Sequence, residues 1–294
     1  MLYKVIVFVK QVPDTKNVTG EAMKPDGTVN RAALPAIFNP EDLNAVELAL
    51  QLKDTYKDVK VVVATMGPPN AGRVLREALY MGADEAVLLT DRAVAGSDTL
   101  ATSYALHCVA KTIGDFDLVL CGRQAIDGDT AQTGPQMAEK LKIPQISYVQ
   151  EVLELTKEKI RAKRAIEGGY EILESPLPAL LTVVDSNVPR PQNARKLLKY
   201  KKAMSRSEFI AANGKDADVA AFEKEAAEKG LLIKELTALE AGADLSRCGL
   251  AGSPTKVKQI MSVVLTAGDF KNIEPTEAGV SGLIHELIAD HTLG

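Results

Sequence analysis

The sequence is poor in the residues on which most catalytic and metal-binding chemistry relies. Three cysteines, Cys108, Cys121 and Cys248, are scattered through 294 residues without metal-ligand spacing. An odd, dispersed set argues against a disulfide framework or a zinc site. Cys108 and Cys121 stand in apolar runs, where a free thiol packs as a small hydrophobe. Histidine is equally scarce. His107 falls on a predicted helix, where a structural role is the simpler reading, and His285 and His291 lie in the terminal segment. No Ser-His-Asp arrangement, H-E-x-x-H or G-x-x-x-x-G-K-[ST] motif occurs, and the first strand lacks a following G-x-G-x-x-G. A conventional Rossmann dehydrogenase and a P-loop NTPase are therefore disfavoured.

A basic excess is also missing. Lys and Arg number 35 against 39 Asp and Glu, for a formal charge of −4, whereas a nucleic-acid binder usually carries the opposite balance. No apolar stretch approaches the roughly 20 residues needed to span a bilayer. The run Val5–Val9 ends at Lys10 and is too short for a secretory signal. These absences lead us to expect a protein of the reducing cytoplasm, with no membrane insertion. Apolar residues at 46% and charged residues at 25% suit a chain that buries an ordinary core.

What is present is a regular alternation. Val5–Val9, Val59–Ala64, Ala86–Leu89, Leu118–Cys121 and Ala179–Val184 read as strands. Between them Asp42–Lys53, Ala71–Met81, Leu100–Ile113 and Ala131–Leu141 carry helical periodicity. This order predicts a Rossmann-like, doubly wound α/β fold with a parallel sheet covered by helices on both faces. The continuously apolar strands agree with two-sided burial. Val149–Leu155, Lys159–Ala165 and Tyr170–Glu174 are more polar, and Gly168-Gly169 between the last two predicts a small antiparallel hairpin. Beyond Pro191 a basic run (Arg195, Lys196, Lys199, Lys201, Lys202) precedes an acidic, Ala-rich stretch from Glu208 to Glu240. That stretch reads as a solvated linker and helix, with a docking surface as the alternative. Thr276–Ala289 places Val280, Leu283, Ile284, Leu287 and Ile288 on one helical face.

In an open parallel sheet, ligands bind beyond the carboxyl ends of the strands near the topological switch point. Four loops qualify: Lys10–Thr15, Thr65-Met66-Gly67-Pro68, Gly96-Ser97-Asp98-Thr99, and the long run from Cys121 to Pro135. The last leaves a buried strand, carries several glycines, and enters a helix with Thr and Gln side chains near its start. Unpaired N–H groups and the helix dipole there favour a phosphate, and Arg123 adds a possible charge-assisted contact. Asp127 and Asp129 oppose a bare phosphate and fit better as acceptors for ribose hydroxyls or as caps. Asn39-Pro40-Glu41-Asp42 reads either as a capping signature or as an adenine or ribose contact. A nucleoside mono- or diphosphate is the expected ligand.

These same residues resemble a known family. Gly122-Arg123-Gln124-Ala125-Ile126-Asp127-Gly128-Asp129-Thr130-Ala131-Gln132-Thr133-Gly134 is similar to the nucleotide-binding loop of electron-transfer flavoprotein beta subunits. So are Val9-Lys10-Gln11-Val12-Pro13-Asp14, Asn39-Pro40-Glu41-Asp42 with Ala45-Val46-Glu47, and the run Ala162–Leu173 followed by Pro178–Thr182. The resemblance implies a nucleotide- or FAD-binding α/β domain over 1–205. It also implies an extension and arm over 206–294 that contacts an alpha subunit, Gly252–Val257 resembling that arm. Asn187, Pro189 and Arg190 look like the loop that meets an acyl-CoA dehydrogenase.

Two classes exist in the family, one holding structural AMP in this subunit and one holding a second, bifurcating FAD. Val12-Pro13-Asp14-Thr15 and Asp127–Gln132 resemble the second class. That class implies hydride from NADH, one electron to ferredoxin or flavodoxin, and the other through the alpha-subunit FAD to an acyl-CoA dehydrogenase. The implied cofactor contacts are Phe8, Lys10, Asn39, Pro40, Glu41, Asp42, Met66, Asp98, Thr99, Thr102 and Gly122 to Thr133, with no catalytic side chain and no metal. Two other classes stay open: an ATP-pyrophosphatase-type ligase, whose Ser-Gly-Gly-x-Asp-Ser loop is missing here, and a self-dimerising nucleotide sensor.

Overall fold

A computed structural model describes residues 3–14, 34–184, 188–256, 271–290 and 292–293. Thr15, Asn187, Val257 and His291, singled out above, lie outside the described residues. The chain runs β1 (Tyr3–Phe8), β2 (Gln11–Pro13), β3 (Ala36–Phe38), α1 (Pro40–Thr55), β4 (Val59–Met66), α2 (Gly72–Met81), β5 (Glu85–Leu89), α3 (Thr99–Ile113), β6 (Leu118–Gly122) and α4 (Thr133–Leu141). It continues through β7 (Gln145–Leu155), β8 (Lys159–Ile166), β9 (Gly169–Pro176), β10 (Ala179–Val183), α5 (Ala194–Tyr200), α6 (Arg206–Asn213), α7 (Val219–Glu228), β11 (Ile233–Leu236) and α8 (Glu277–Ala289).

The main sheet has the order β11-β5-β4-β1-β6-β10-β7-β8-β9. Pairing is parallel from β11 to β7 and antiparallel from β7 to β9. The expected Rossmann-like α/β fold is thus present. The pleat explains its two cores, because successive side chains of a strand point to opposite faces. Val5, Val7 and Val9 join α1 and α2 in one apolar cluster. Ile6 and Phe8 join α3 and α4 in the other. From β1 the chain moves outward to β4 and β5, then returns to place β6 on the other side of β1. The switch point therefore lies between β1 and β6.

Several elements differ from the sequence-based expectation. Gln11–Pro13, read as part of a loop, pairs antiparallel with Ala36–Phe38, a ladder that depends on residues far apart in the chain. The hairpin is larger than expected and is continuous with the main sheet through β7 and β10. Its tight turn is Glu167-Gly168 rather than Gly168-Gly169, since Ile166 pairs with Gly169 and Gly168 takes φ 74°. The acidic stretch from Glu208 forms two short helices, not one, because Gly214 and Gly230 interrupt it with φ 91° and 61°. It then contributes β11, parallel to β5. Phe209 and Phe222 stack at 4.1 Å between α6 and α7, and Arg76 of α2 holds Glu208 at 2.8 Å.

The terminal helix forms as expected, with Thr276 as its cap. Val280, Ile284 and Ile288 stay exposed. All three cysteines are free and buried. Among the described residues no helix is long and apolar enough to cross a membrane.

Because Ile233 is fully buried on β11, Ile233→Ala should cost about 2–5 kcal/mol by cavity formation. Urea unfolding checks this; an unchanged midpoint would detach β11 from the cooperative core.

Candidate functional site

The site begins with α1, whose first turn sits in the crevice between β1 and β6. Pro40 occupies the start, where its missing N–H costs nothing. Asp42, buried at 6% exposure, reaches both strand ends. Its Oδ2 accepts from the Lys10 N–H at 2.8 Å and its Oδ1 from the Gly122 N–H at 3.0 Å. Burial pushes this carboxyl up to about 7, against the lowering effect of hydrogen bonds from Asn39, Gly122 and Lys10. Gly122 makes the approach possible, since a Cβ there would lie 2.5 Å from the Glu41 carbonyl carbon.

Asn39 does not cap α1 with its side chain. Instead its Nδ2 donates to the Gln124 carbonyl at 2.9 Å and its Oδ1 accepts from the Ile126 N–H at 3.3 Å. It is a clamp on the loop after β6. Glu41 pairs with Arg123 at 2.6 Å, so this arginine has an acid within its own chain. Lys10 pairs with Asp127 at 2.8 Å. Asp129 accepts from Gln124 Nε2 at 3.0 Å. The two aspartates that opposed a phosphate are thereby each given a partner.

Beyond this clamp opens a cavity of about 870 Å³. Phe8, Lys10, Asp42, Met66, Asp98, Thr99 and Thr102 line it, as do Gly122–Ala125, Asp127, Gly128 and Thr130–Thr133. Asn39, Pro40, Glu41, Ile126 and Asp129 do not; they shape the loop from behind. The wall also includes residues that the sequence reading passed over, among them Arg92 and Val94 after β5, Met137 of α4 and Ser207 of α6. The loop after β5 carries a legible signal, since it leaves the same sheet edge as the others. Ser207 has none, because long-range contacts bring its segment here: its bonds to Glu235 of β11 and the Arg76–Glu208 pair. Gly67 also lines the wall, but its small size is needed locally, a Cβ there meeting that of Ala71 at 2.9 Å.

Two helix N-termini face the cavity, and they differ. α3 is capped by Asp98, which accepts from Ala101 N–H at 3.0 Å. The same carboxylate binds the Thr255 N–H at 3.0 Å and its hydroxyl at 2.6 Å. Burial raises the Asp98 carboxyl, but these bonds from Thr255 and Ala101 outweigh it and hold it below its ordinary value. A charged, engaged cap repels a second anion. α4 has no side-chain cap. Ala131 takes φ 51° and Gln132 is right-handed at φ −99° and ψ −27°, so the helix begins two residues later than expected. A left-handed residue followed by a right-handed one turns successive N–H groups toward one point, an anion-binding nest. Thr99 Oγ1 donates to Gln132 Oε1 at 3.0 Å, which ties the two helix starts together.

Arg190 does not project freely. Its backbone N–H and guanidinium bond Glu47 at 2.9–3.0 Å, with Asp54 at 2.8 Å. Those partners push its pKa further up. Val188 beside it is 91% exposed.

The Asp42 carboxyl gives a signed pH prediction. Between its ordinary 3.8 and about 7 the folded protein keeps a proton that the unfolded chain has lost. Stability from this group is therefore full below that window and falls as pH rises through it. Between pH 5 and 8 the native protein should lose on the order of 2 kcal/mol more than Asp42→Asn. Urea titrations at both pH values check it, and parallel profiles would refute it.

Comparison with known proteins places these loops in a family. The electron transfer flavoprotein domain model matches residues 26–206. Over 256 residues, 87% of this chain and 86% of the relative, it is 45% identical to the electron transfer flavoprotein subunit beta of Clostridium acetobutylicum. It is 50% identical to the caffeyl-CoA reductase-Etf complex subunit CarD of Acetobacterium woodii over 64% of this chain and 71% of that protein. The acryloyl-CoA reductase electron transfer subunit gamma of Anaerotignum propionicum is 38% identical over 96% of this chain and 92% of its own length. The chain belongs to the electron transfer flavoprotein family, among its beta subunits, and its role is electron transfer.

Proposed function

We propose that this chain holds the ADP portion of an FAD in the switch-point cavity and works as half of a bifurcating electron-transfer flavoprotein heterodimer. The uncapped start of α4 carries the reading. An anion at a helix start gains about 0.3–1 kcal/mol from the dipole, more when partly buried. On this reading the N–H groups of Ala131, Gln132 and Thr133 hold phosphate oxygens. Phe8 and Met66 lie along the adenine with backbone and apolar contact. Lys10, held against Asp127, keeps the loop after β6 closed over the nucleotide.

The choice of FAD over AMP rests on extent. The wall runs past the phosphate loop to Arg92 after β5 and Ser207 of α6, and 870 Å³ lies in the upper part of the roughly 300–1,000 Å³ common for ligand pockets. When bound, the isoalloxazine supplies redox chemistry that takes hydride from NADH and delivers single electrons to ferredoxin or flavodoxin and, through the alpha-subunit FAD, to an acyl-CoA dehydrogenase. This chain then needs no acid, base or nucleophile, in keeping with its scarce histidine and cysteine. The names of the Acetobacterium and Anaerotignum relatives refer to acyl-CoA reductases, and we carry that partner class to this protein, in the cytoplasm. The 206–294 segment, through the exposed apolar stripe of α8, supplies the contact to the alpha subunit.

Counting cofactors in the purified heterodimer tests the reading: two FAD are expected, and one FAD with one AMP would refute it. Gly128 lines the cavity, and a Cβ there meets nothing within 4 Å. Gly128→Leu should therefore lower nucleotide content at least about ten-fold by occupying ligand space while leaving the unfolding midpoint of the nucleotide-free protein in place. Full cofactor retention in this variant would move the nucleotide elsewhere.

A further inference from the structure

α3 presents a second face, away from the nucleotide cavity. Leu100, Tyr104 and His107 stand at helical spacing there and form one wall of a separate cavity of about 730 Å³. The end of α4 supplies Glu139, Lys140 and Lys142, and the segment Ser246–Pro254 closes the remaining side with Arg247. Lys142 is paired with Glu139 at 2.5 Å. Among the described residues, no carboxylate lies at ion-pair distance from Lys140 or Arg247. Asp244, the nearest acid in sequence to Arg247, is engaged by the Ser246 N–H at 2.9 Å and its hydroxyl at 2.7 Å.

The C-terminal dipole of α4 accounts for lysines in its last turn. It does not account for Arg247 or His107, which come from other elements. Arg247 is held with its guanidinium carbon 3.8 Å from the centre of the Tyr104 ring, and that ring is fixed by its hydroxyl, which accepts from the Asp244 N–H at 2.9 Å. Stacking of this kind orients the flat guanidinium in advance of any ligand. The Nδ1 of His107 is buried without a partner. That leaves Nε2 as the ring nitrogen of His107 that can meet a ligand. Burial together with Lys111, Arg247 and Lys140 holds His107 below its ordinary pKa. Burial and Arg247 do the same to Lys140. Glu139 and Asp98 offset only part of this repulsion at Lys140, and a bound anion would relieve the rest.

We propose that this cavity is a second anion site, specific for a small phosphate-bearing molecule, in which the stacked Arg247 and Lys140 grip the phosphate and His107 completes the donor set. The volume exceeds what a bare phosphate needs, and the apolar Leu100, Ala251 and Pro254 leave room for an organic remainder. The site shares no lining residue with the nucleotide cavity, although Asp98, which lines that cavity, anchors Ser253 and Thr255 of the closing segment.

Calorimetric titration of the cofactor-loaded heterodimer with sodium pyrophosphate, against sodium chloride at equal ionic strength, tests the proposal. One saturable site per chain is expected, weakened about ten- to hundred-fold in Arg247→Ala and in Lys140→Ala. Both side chains lie outside the nucleotide cavity, so a loss in these variants cannot arise there. Absence of pyrophosphate binding, binding in both variants as tight as in the unsubstituted protein, or an equal response to chloride would overturn it. A companion AMP titration reads the organic remainder: tighter binding than pyrophosphate, lost in the same variants, is expected. AMP binding unaffected by either variant would remove the assignment to phosphate-bearing molecules.

Discussion

One buried carboxylate organises the functional end of this protein. Strands of a parallel sheet have no partner for their backbone once they pass the last ladder bond, and at a switch point their connections leave in opposite directions. Asp42 spans that gap by accepting from Lys10 after β1 and from Gly122 at the end of β6. Removing a carboxylate from water is expensive, and although backbone donors engage both oxygens, burial prevails and raises the group to about 7. The arrangement holds two loops at fixed separation. The same separation lets Asn39 reach Gln124 and Ile126, and lets Lys10 reach Asp127.

Electrostatic sorting follows from this frame. Each acid of the β6 loop region has a partner inside the chain: Glu41 with Arg123, Asp127 with Lys10, Asp129 with Gln124. What remains unanswered at the cavity is the set of backbone donors at the start of α4. α3 offers the opposite case, its start filled by Asp98 and stitched to Ser253 and Thr255. One helix thus closes its N-terminus with the chain's own later segment, and its neighbour leaves an opening of positive potential. The distinction is made by a side chain in one case and by the φ sign of Ala131 in the other.

Periodic features were readable from residues alone. The apolar runs at Val5–Val9, Val59–Ala64 and Leu118–Cys121 became central strands, since strands buried on both faces can hardly be anything else in an alternating chain. The strand-end loops were readable for the same reason. Asn39 was not, because a residue before Pro-Glu-Asp has the local grammar of a cap, and its long-range contact with Gln124 leaves no trace in spacing. The β2–β3 ladder and β11 were also hidden. Each is short, and each depends on a partner remote in sequence, so tertiary context decides it rather than propensity. Ser207 reached the cavity wall through that hidden strand and the Arg76–Glu208 pair, both remote in sequence.

β11 carries a further implication for how the molecule is made. Its partner β5 is complete early in synthesis, yet Ile233 to Leu236 complete the ladder with Ala86 to Leu89 only after most of the chain has left the ribosome. Until then β5 exposes a row of unpaired backbone groups, the template that edge strands present to other chains. The nascent protein therefore carries an open sheet edge through most of its synthesis, and that edge closes only when β11 pairs with β5.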